Sequence, residues 1–192
     1  MKKFLASALM LLAASTATFA QHAVGSFTLQ PKVGINVSDM TDFSNTTSRV
    51  GFVGGLEGEY QVSDIFSLSL GAIYSQQGAK IKNSDDKFKL DYINVPVLAN
   101  VYLTKGLAVK LGVQPGFNVG NSVTVAGNTV SQSKKEGDGV KSVDLAIPVG
   151  LSYEYKNVVL DARYNWGVTK AYDGLDSKNS VFQITLGYKF EL

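Results

Sequence analysis

Few residues of this 192-residue chain have the types and spacing that chemistry requires. His22 is the sole histidine and the chain has no cysteine, so we expect no zinc site and no histidine-based catalytic triad. Glu57 and Glu59 are alternate residues, which on a strand share one face and could act as paired carboxylates in acid–base chemistry. Because isolated charges inside a protein are costly, we favour an interpretation in which both glutamates pair with basic side chains.

The acidic and glycine-rich segments match no binding motif. Asp85 with Asp86, and the acidic segment 173–176, lack the spacing of a calcium loop. Gly54 and Gly55 open no helix, which a nucleotide-binding loop would require. The net charge of +2, without a basic cluster, argues against a nucleic-acid partner. The sequence therefore predicts a protein that is not an enzyme and that has no cofactor and no metal site.

The first twenty residues have the layout of a secretory signal peptide. A short basic start at Lys2 and Lys3 precedes an apolar run over 4–14, and small residues lead to Ala20. The apolar run is shorter than the roughly 20 residues that a membrane-spanning helix needs. We therefore predict cleavage after Ala20, which divides the chain into a signal peptide at 1–20 and one domain at 21–192.

The rest of the chain alternates apolar and polar residues with a period of two, which a helix cannot do. The clearest example is the last segment, whose apolar face carries Phe182, Ile184, Leu186, Tyr188, Phe190 and Leu192. Eight such segments can be counted. They predict an all-β fold, an eight-stranded antiparallel up-and-down transmembrane β-barrel.

The connections between these segments alternate between short turns and long polar loops. Short turns are expected at 63–64, 104–106 and 156–157, and long loops at 38–49, 78–87, 120–141 and 168–179. Short turns at one end and long loops at the other are typical of outer-membrane barrels. An even strand number places both termini on the short-turn side, in the periplasm. The valines at 123, 125 and 130 predict that the third long loop extends its hairpin beyond the membrane.

The same alternation would also fit a soluble barrel of lipocalin type, with its apolar face inward. Two observations favour the membrane form, in which the apolar face meets lipid. Several segments reach ten residues or more, enough to cross a bilayer. Aromatic residues also gather toward segment ends, as in interfacial girdles. The predicted girdle residues are Tyr60, Phe66, Tyr74, Tyr102, Phe117, Tyr153, Tyr155, Tyr164, Trp166, Phe182, Tyr188 and Phe190, with Phe52 beside them.

The polar face carries four basic and six acidic residues, which a narrow lumen would bring together. These are Lys32, Glu57, Glu59, Lys110, Asp144, Glu154, Asp161, Arg163, Lys189 and Glu191. In a confined space such groups should pair, with Glu57 and Glu59 facing Lys32, Lys110 or Arg163. Eight strands enclose a space that side chains nearly fill. We therefore expect a charge network in a filled lumen.

Several segments in order resemble the PorT-type outer-membrane β-barrel family of Bacteroidetes. They are KVGINVS at 32–38, GFVGGL at 51–56, YSQQGA at 74–79, LDYINVPVL at 90–98, GVQPGF at 112–117 and DARY at 161–164. The resemblance covers essentially the whole predicted mature chain and implies an OmpX- or OmpA-like eight-stranded barrel. One founding relative is linked to a secretion system, but no functional residue carries over to this chain.

The C-terminus is similar to the signal read by the barrel-assembly machinery. Tyr188, Phe190 and Leu192 alternate as apolar residues, although the usual final Phe lies two positions inward. Outer-membrane lipid and this machinery are therefore expected partners, and envelope or secretion-system proteins would be met through the loops. The leading hypothesis is a structural or interaction barrel. The alternatives are a small porin-like channel and a soluble periplasmic lipocalin-like barrel.

Overall fold

The structure is a computed structural model, and it describes residues 22–41, 46–82, 86–125, 128–132, 141–170 and 177–192. The predicted signal peptide and the acidic segment 173–176 lie outside these residues. Within them, the regular structure consists of β-strands. No helix in the described part of the chain is long and apolar enough to cross a membrane.

Eleven strand segments form one antiparallel sheet. They are β1 (Phe27–Met40), β2 (Thr46–Ser63), β3 (Phe66–Ile81), β4 (Lys87–Asn94), β5 (Val97–Thr104), β6 (Leu107–Val125), β7 (Asn128–Gln132), β8 (Val143–Tyr155), β9 (Val158–Gly167), β10 (Asn179–Tyr188) and β11 (Phe190–Glu191).

These segments make a closed ring of eight strands. β4 and β5 follow one another along β3 and β6, so they are two halves of one strand. β10 and β11 likewise both pair with β1, and β7 is the second arm of the hairpin that β6 begins. Because β1 pairs with β2 on one side and β10 on the other, the sheet has no open edge. The predicted eight-stranded antiparallel barrel is confirmed.

The break between β4 and β5 lies at Val95 and Pro96. Proline has no N–H to give to the ladder, so it interrupts a central strand. The neighbouring strands bridge the gap: the Val95 N–H donates to the Pro115 carbonyl at 2.8 Å, and the Gly71 N–H donates to the Pro96 carbonyl at 3.0 Å. The wall of the barrel therefore stays continuous through the break.

The short turns lie close to the predicted positions, and the best defined joins β8 to β9. Lys156 and Asn157 have φ angles of 47° and 70°, as a type I′ hairpin turn requires. The first two predicted long loops are shorter than expected, because β1 continues to Met40, β2 begins at Thr46 and β3 continues to Ile81. Polar residues there still form ladder hydrogen bonds, which the hydrophobic pattern does not reveal. The predicted hairpin at 120–141 forms from β6 and β7.

The two faces of the ring are sorted as a membrane barrel requires. On β9 and β10, Leu160 and Leu186 are 52% and 54% exposed on the outside, whereas Asp161 and Gln183 on the inside are 0% and 2% exposed. Within the membrane belt the outward face is apolar, and the inward face is mainly polar, with some buried apolar side chains such as Val53, Ile73 and Leu98. The soluble alternative needs the reverse arrangement and is not supported.

Three strands continue past the apolar belt at the long-loop end. β2, β3 and β6 have 18, 16 and 19 residues, against the roughly 9–11 that cross a bilayer. Their outward residues change from apolar to polar there, at Ser48 on β2 and at Gln76 and Lys80 on β3. We call this projecting part of the wall the polar collar.

Candidate functional site

Five charged side chains meet inside the barrel and form what we call the ionic cluster: Lys32, Glu57, Lys110, Asp161 and Arg163. They come from β1, β2, β6 and β9, so four strands of the ring contribute. All five are at most 2% exposed. Each stands at an inward position of its strand, where the two-residue period places it. The cluster is therefore a product of strand alternation combined with ring closure.

Glu57 is the centre of this cluster. Its carboxylate lies 2.8 Å from the Lys32 ammonium, 2.9 Å from that of Lys110 and 2.7 Å from the Arg163 guanidinium. Asp161 accepts two hydrogen bonds of 2.7 Å from Arg163, the two-point contact that a guanidinium forms best. Lys110 and Lys32 lie 3.2 Å and 3.6 Å from Asp161. Three cations thus surround two carboxylates, and the cluster carries one excess positive charge.

A second group of polar residues, the short-turn network, lies between the ionic cluster and the short-turn end. Lys189 bridges Glu59 at 3.0 Å and Glu154 at 2.9 Å. Glu59 also accepts hydrogen bonds from Ser67, at 2.6 Å, and from the Tyr102 hydroxyl. One cation faces two carboxylates here, which gives one excess negative charge. The two groups balance each other when His22 is neutral.

His22 closes the short-turn end of the lumen. Its Nε2 lies 3.0 Å from a Glu154 oxygen, and its Nδ1 lies 3.8 Å from Glu191. His22 is only 8% exposed, although it precedes the first strand. The hydrogen bond to Glu154 raises the pKa of His22, while burial opposes the shift. The protonated form is thus favoured by the two carboxylates it faces.

Nearer the long-loop end, the lumen is filled mainly by neutral polar groups, with the charged side chains Arg49 and Asp144 among them. Asn36 donates to the Ser75 hydroxyl at 2.8 Å, and Gln77 donates to the same oxygen at 3.0 Å. Asp144 accepts from Asn179 at 2.8 Å and from Thr169 at 2.6 Å. Beyond them lies a buried apolar cluster on β1, β3 and β4, formed by Met40, Ala79, Leu90 and Tyr92. A cavity of about 10 Å³, lined mainly by amides, remains between these side chains.

The structure places the ten charged residues predicted for the lumen in three settings. Eight of them form the ionic cluster or the short-turn network: Lys32, Glu57, Glu59, Lys110, Glu154, Asp161, Arg163 and Lys189. Asp144 is buried in the lumen, and the hydrogen bonds described for it come from neutral groups. The prediction that Glu191 lies inside the lumen is corrected, because its side chain is 57% exposed. It keeps the inward alternation, but β11 ends the wall there and the carboxylate meets solvent at the barrel end.

Among the predicted girdle aromatics, Tyr102 is the exception. It stands two residues from Asn100, which is fully buried in the lumen, and its hydroxyl donates to Glu59. The alternation of β5 therefore turns Tyr102 inward, and it belongs to the short-turn network. The remaining eleven stand at outward positions: Tyr60, Phe66, Tyr74, Phe117, Tyr153, Tyr155, Tyr164, Trp166, Phe182, Tyr188 and Phe190.

Sequence reasoning missed two residues at the short-turn end of the lumen, Tyr102 and His22. Tyr102 could have been found from its spacing to Asn100, since residues two apart on a strand share a face. His22 had no such signal, because it lies before β1 and its contact with Glu154 spans 132 positions of sequence. Within the described residues, no group of three or more histidine and acidic side chains is placed to hold a metal ion.

A closed ring of eight antiparallel strands with a polar lumen and an apolar outer face defines a small outer-membrane β-barrel. The comparison with protein families agrees. Residues 19–173 match the family described as outer membrane protein beta-barrel domain, and the chain belongs to this family. Its location is the outer membrane, and the family is non-enzymatic. No curated protein sequence matched the chain.

Solved structures of small outer-membrane barrels share the fold. Neisserial surface protein A is 18% identical with a TM-score of 0.53, and the match covers 86% of this chain and 97% of that one. Ail, the attachment invasion locus protein of Yersinia pestis, is 20% identical with a TM-score of 0.51, over 88% of this chain and 100% of Ail. At such identities the similarity concerns the fold alone.

Proposed function

We propose that this protein is a closed structural and interaction barrel of the outer membrane. Its lumen is sealed by the ionic cluster, and its long-loop end meets external ligands or other envelope proteins. The short-turn end and both termini face the periplasm. This orientation follows the outer-membrane rule that long loops lie outside.

The contacts of Glu57 carry this proposal. Lys32 on β1 and Lys110 on β6 stand on opposite sides of the eight-strand ring, yet both bind the same carboxylate. The ionic cluster therefore reaches across the whole bore. Opening a path would separate buried charges from their partners, which costs several kcal/mol per ion (about 3–5 for one broken pair). Because paired charges span the bore, we infer that the barrel is closed.

The polar collar supports the interaction role. β3, the shortest of the three with 16 residues, exceeds a span of about 10 by about six residues, which at about 3.3 Å per residue extend the wall by roughly 20 Å along the strand. Ladder pairing continues in this part, between Thr46 and Ile81 and between Thr124 and Lys87. A paired wall holds attached loops in defined positions, which binding surfaces need. The collar thus raises the loops above the lipid surface.

Planar-bilayer recording of the purified barrel tests the closed lumen. We expect no stable single-channel steps from the native protein. The variant Glu57→Ala, combined with Lys32→Ala, removes the central bridge and should give measurable steps if it inserts. Heat-dependent mobility on an SDS gel, which folded barrels show, verifies that both proteins are folded. Stable steps from the native barrel would overturn the proposal.

A small porin-like channel is the second candidate, and one observation favours it. Several buried polar atoms along the seam of β1 and β10 have no protein hydrogen-bond partner, among them both amide atoms of Gln30, Nε2 of Gln183 and Oγ1 of Thr185. Buried polar groups of this kind usually bind internal water. A file of water beside the ionic cluster would let small solutes pass. The bilayer recording distinguishes this candidate directly.

The PorT-type resemblance adds a partner class to the proposal. It supports a barrel that joins a secretion assembly in the outer membrane. Pull-down from solubilised membranes should recover envelope proteins that are lost when the long loops are shortened. Recovery of the same proteins without the loops would contradict this part.

A separate partner is the barrel-assembly machinery, which would recognise the C-terminal residues Tyr188, Phe190 and Leu192 while the barrel inserts. All three lie on the outer face and are 45%, 51% and 76% exposed.

A further inference from the structure

Four lysines stand together on the outer face of the polar collar, where β3 and β4 form a hairpin. Lys80 and Lys87 are directly opposite each other in the ladder. Lys89 lies two residues below Lys87 on β4, and Lys82 follows β3 in the turn. Directly opposite residues of an antiparallel pair share one face, and alternation with the buried Leu90 makes it the outer face. We call these four residues the lysine column.

The charges of the lysine column are not balanced by the wall that carries them. In the described part of the chain, none of the four lysines takes part in an ion pair. Asp86 precedes Lys87 and alternates with it, and the outward acid of β4 is Asp91, two residues below Lys89. Like charges directly opposite in a ladder destabilise it. The pair of Lys80 and Lys87 therefore costs stability unless an anion from outside the chain neutralises it.

The lysine column stands above the lipid head groups. The last apolar outward pair on these two strands is Tyr74 and Ile93, which are directly opposite each other. Lys80 is six residues beyond Tyr74, or about 20 Å along a strand at roughly 3.3 Å per residue. With a strand tilt of about 40°, Lys80 and Lys87 lie about 15 Å above the apolar belt. Head groups occupy only about 5–8 Å on each side of a bilayer, so this pair faces the aqueous phase.

The neighbours of the lysine column select the kind of anion. Thr47 pairs with Lys80 and is exposed, and Gly78 and Ser122 pair with Lys89 from either side. These three small residues offer no aromatic ring on which a nucleic-acid base would stack. They also offer no large apolar anchor of the kind that protein interfaces use. Hydroxyl groups beside ammonium groups, on a strip one hairpin wide, match a single extended chain that carries both anions and hydroxyls.

We propose that the lysine column binds an acidic polysaccharide outside the cell, a chain of sugars that bears sulfate or carboxylate groups. The ammonium groups pair with its anions, and the neighbouring hydroxyls bind its sugar hydroxyls. This inference rests on the proposed function, because it names a ligand class for the long-loop end. The column corrects the expectation of no basic cluster: the lysines alternate with other residues along the chain, and the hairpin brings them onto one face.

Binding of dextran sulfate to the full-length barrel tests the site, with uncharged dextran of the same length as the reference. The barrel is held in nanodiscs of phosphatidylcholine, which has no net charge, and Kd is measured at several salt concentrations. The native barrel should bind dextran sulfate and not dextran. Lys80→Gln combined with Lys87→Gln should raise Kd about 25-fold, at about fivefold per lysine. The slope of log affinity against log salt should also fall by about one per lysine removed.

The matched control is Lys105→Gln combined with Lys156→Gln, which removes the same charge from two exposed turns at the short-turn end. It should bind dextran sulfate as the native barrel does, and heat-dependent mobility on an SDS gel establishes that every variant is folded. Absence of binding by the native barrel, or equal affinity in the two double variants, would overturn the proposal. Tighter binding of duplex DNA or of lipopolysaccharide than of dextran sulfate would also overturn it.

Two results separate this inference from the proposed function. A native barrel that recovers loop-dependent envelope proteins but does not bind dextran sulfate would overturn the polysaccharide site alone. A barrel that binds dextran sulfate through the lysine column, and yet gives stable channel steps in a planar bilayer, would overturn the closed lumen and support the polysaccharide site.

Discussion

The short-turn half and the long-loop half of the lumen are both buried and polar, but different interactions hold them. In the short-turn half, Glu57 is shared by three cations and Lys189 by two carboxylates. In the long-loop half, Asn36 and Ser75 form local neutral hydrogen bonds. Charges in the first half thus depend on one another across the bore, whereas the bonds of Asn36 and Asp144 in the second half reach only to the next strand but one.

The hydrogen bonds described for charged side chains in the long-loop half likewise join neutral groups. Arg49 donates to the backbone carbonyl of Gln77, and Asp144 accepts from Asn179 and Thr169. Neutral groups can satisfy a single charge in this way, but they do not couple distant strands. The difference indicates that closure of the bore and resistance to unfolding are concentrated in the short-turn half. Substitutions in the two halves should therefore differ in size.

The largest effect is expected at Glu57. Glu57→Gln leaves three buried cations facing Asp161 alone, and the free energy of unfolding should fall by about 3–5 kcal/mol. Urea unfolding in detergent micelles measures this, with fluorescence of Trp166, the sole tryptophan, as the probe. Its side chain is 58% exposed on the lipid face, so it reports loss of the barrel wall. A loss below about 1 kcal/mol would show that the charges are not coupled.

A smaller loss in the free energy of unfolding is expected when a cation of the ionic cluster is removed. Lys32→Met takes away the excess positive charge of the ionic cluster and leaves two cations with two carboxylates. The remaining contacts of Glu57 with Lys110 and Arg163 stay in place. We expect the free energy of unfolding to fall by about 1.5–3 kcal/mol, the value of a hydrogen bond to a charged group. The same unfolding assay decides, and a loss equal to that of Glu57→Gln would show that net charge is irrelevant here.

The sequence predicts well which face of the wall each residue lies on, but poorly which inward side chains contact one another. A period of two places Lys32, Glu57, Asp161 and Arg163 on the inward face, since alternation alone fixes the face. It does not determine which inward residues meet, because that depends on the stagger between strands around the ring. Glu59 therefore pairs with Lys189, a partner that no spacing indicated.

The ends of the barrel were the least predictable part. Beyond the membrane the outward residues need not be apolar, so the hydrophobic pattern stops although pairing continues, as at Ser48 and Lys80. Alternation also fails to show where the lumen ends, so it predicts an inward Glu191 although the side chain is 57% exposed at the barrel end. The burial of His22 depends on a contact with β8 that local sequence cannot show.

In the long-loop half, Ser75→Ala should have a modest effect. It removes one oxygen that accepts from both Asn36 and Gln77. Because these bonds are neutral and local, we expect the free energy of unfolding to fall by about 1 kcal/mol. Ser67→Ala, which removes a bond to the Glu59 carboxylate, is the matched change in the short-turn half and should cost more. Equal losses would remove the distinction between the halves.

The smallest effect is a pH dependence at the barrel end. The pKa of His22 is raised in the folded protein by its bond to Glu154, with Glu191 adding to the shift and Lys189 opposing it. A raised pKa means that the folded state holds the proton more tightly than the unfolded chain does. The stabilisation is therefore fully present below the ordinary histidine pKa of about 6.5 and is lost as pH rises through the folded value.

The free energy of unfolding of the native protein and of His22→Gln is measured between about pH 5 and 8. The two values should differ most at the acidic end, by less than about 1 kcal/mol, because water screens the barrel end. The ionic cluster contributes to both proteins alike, so their difference isolates His22, and a difference that grew toward alkaline pH would contradict the assigned contact.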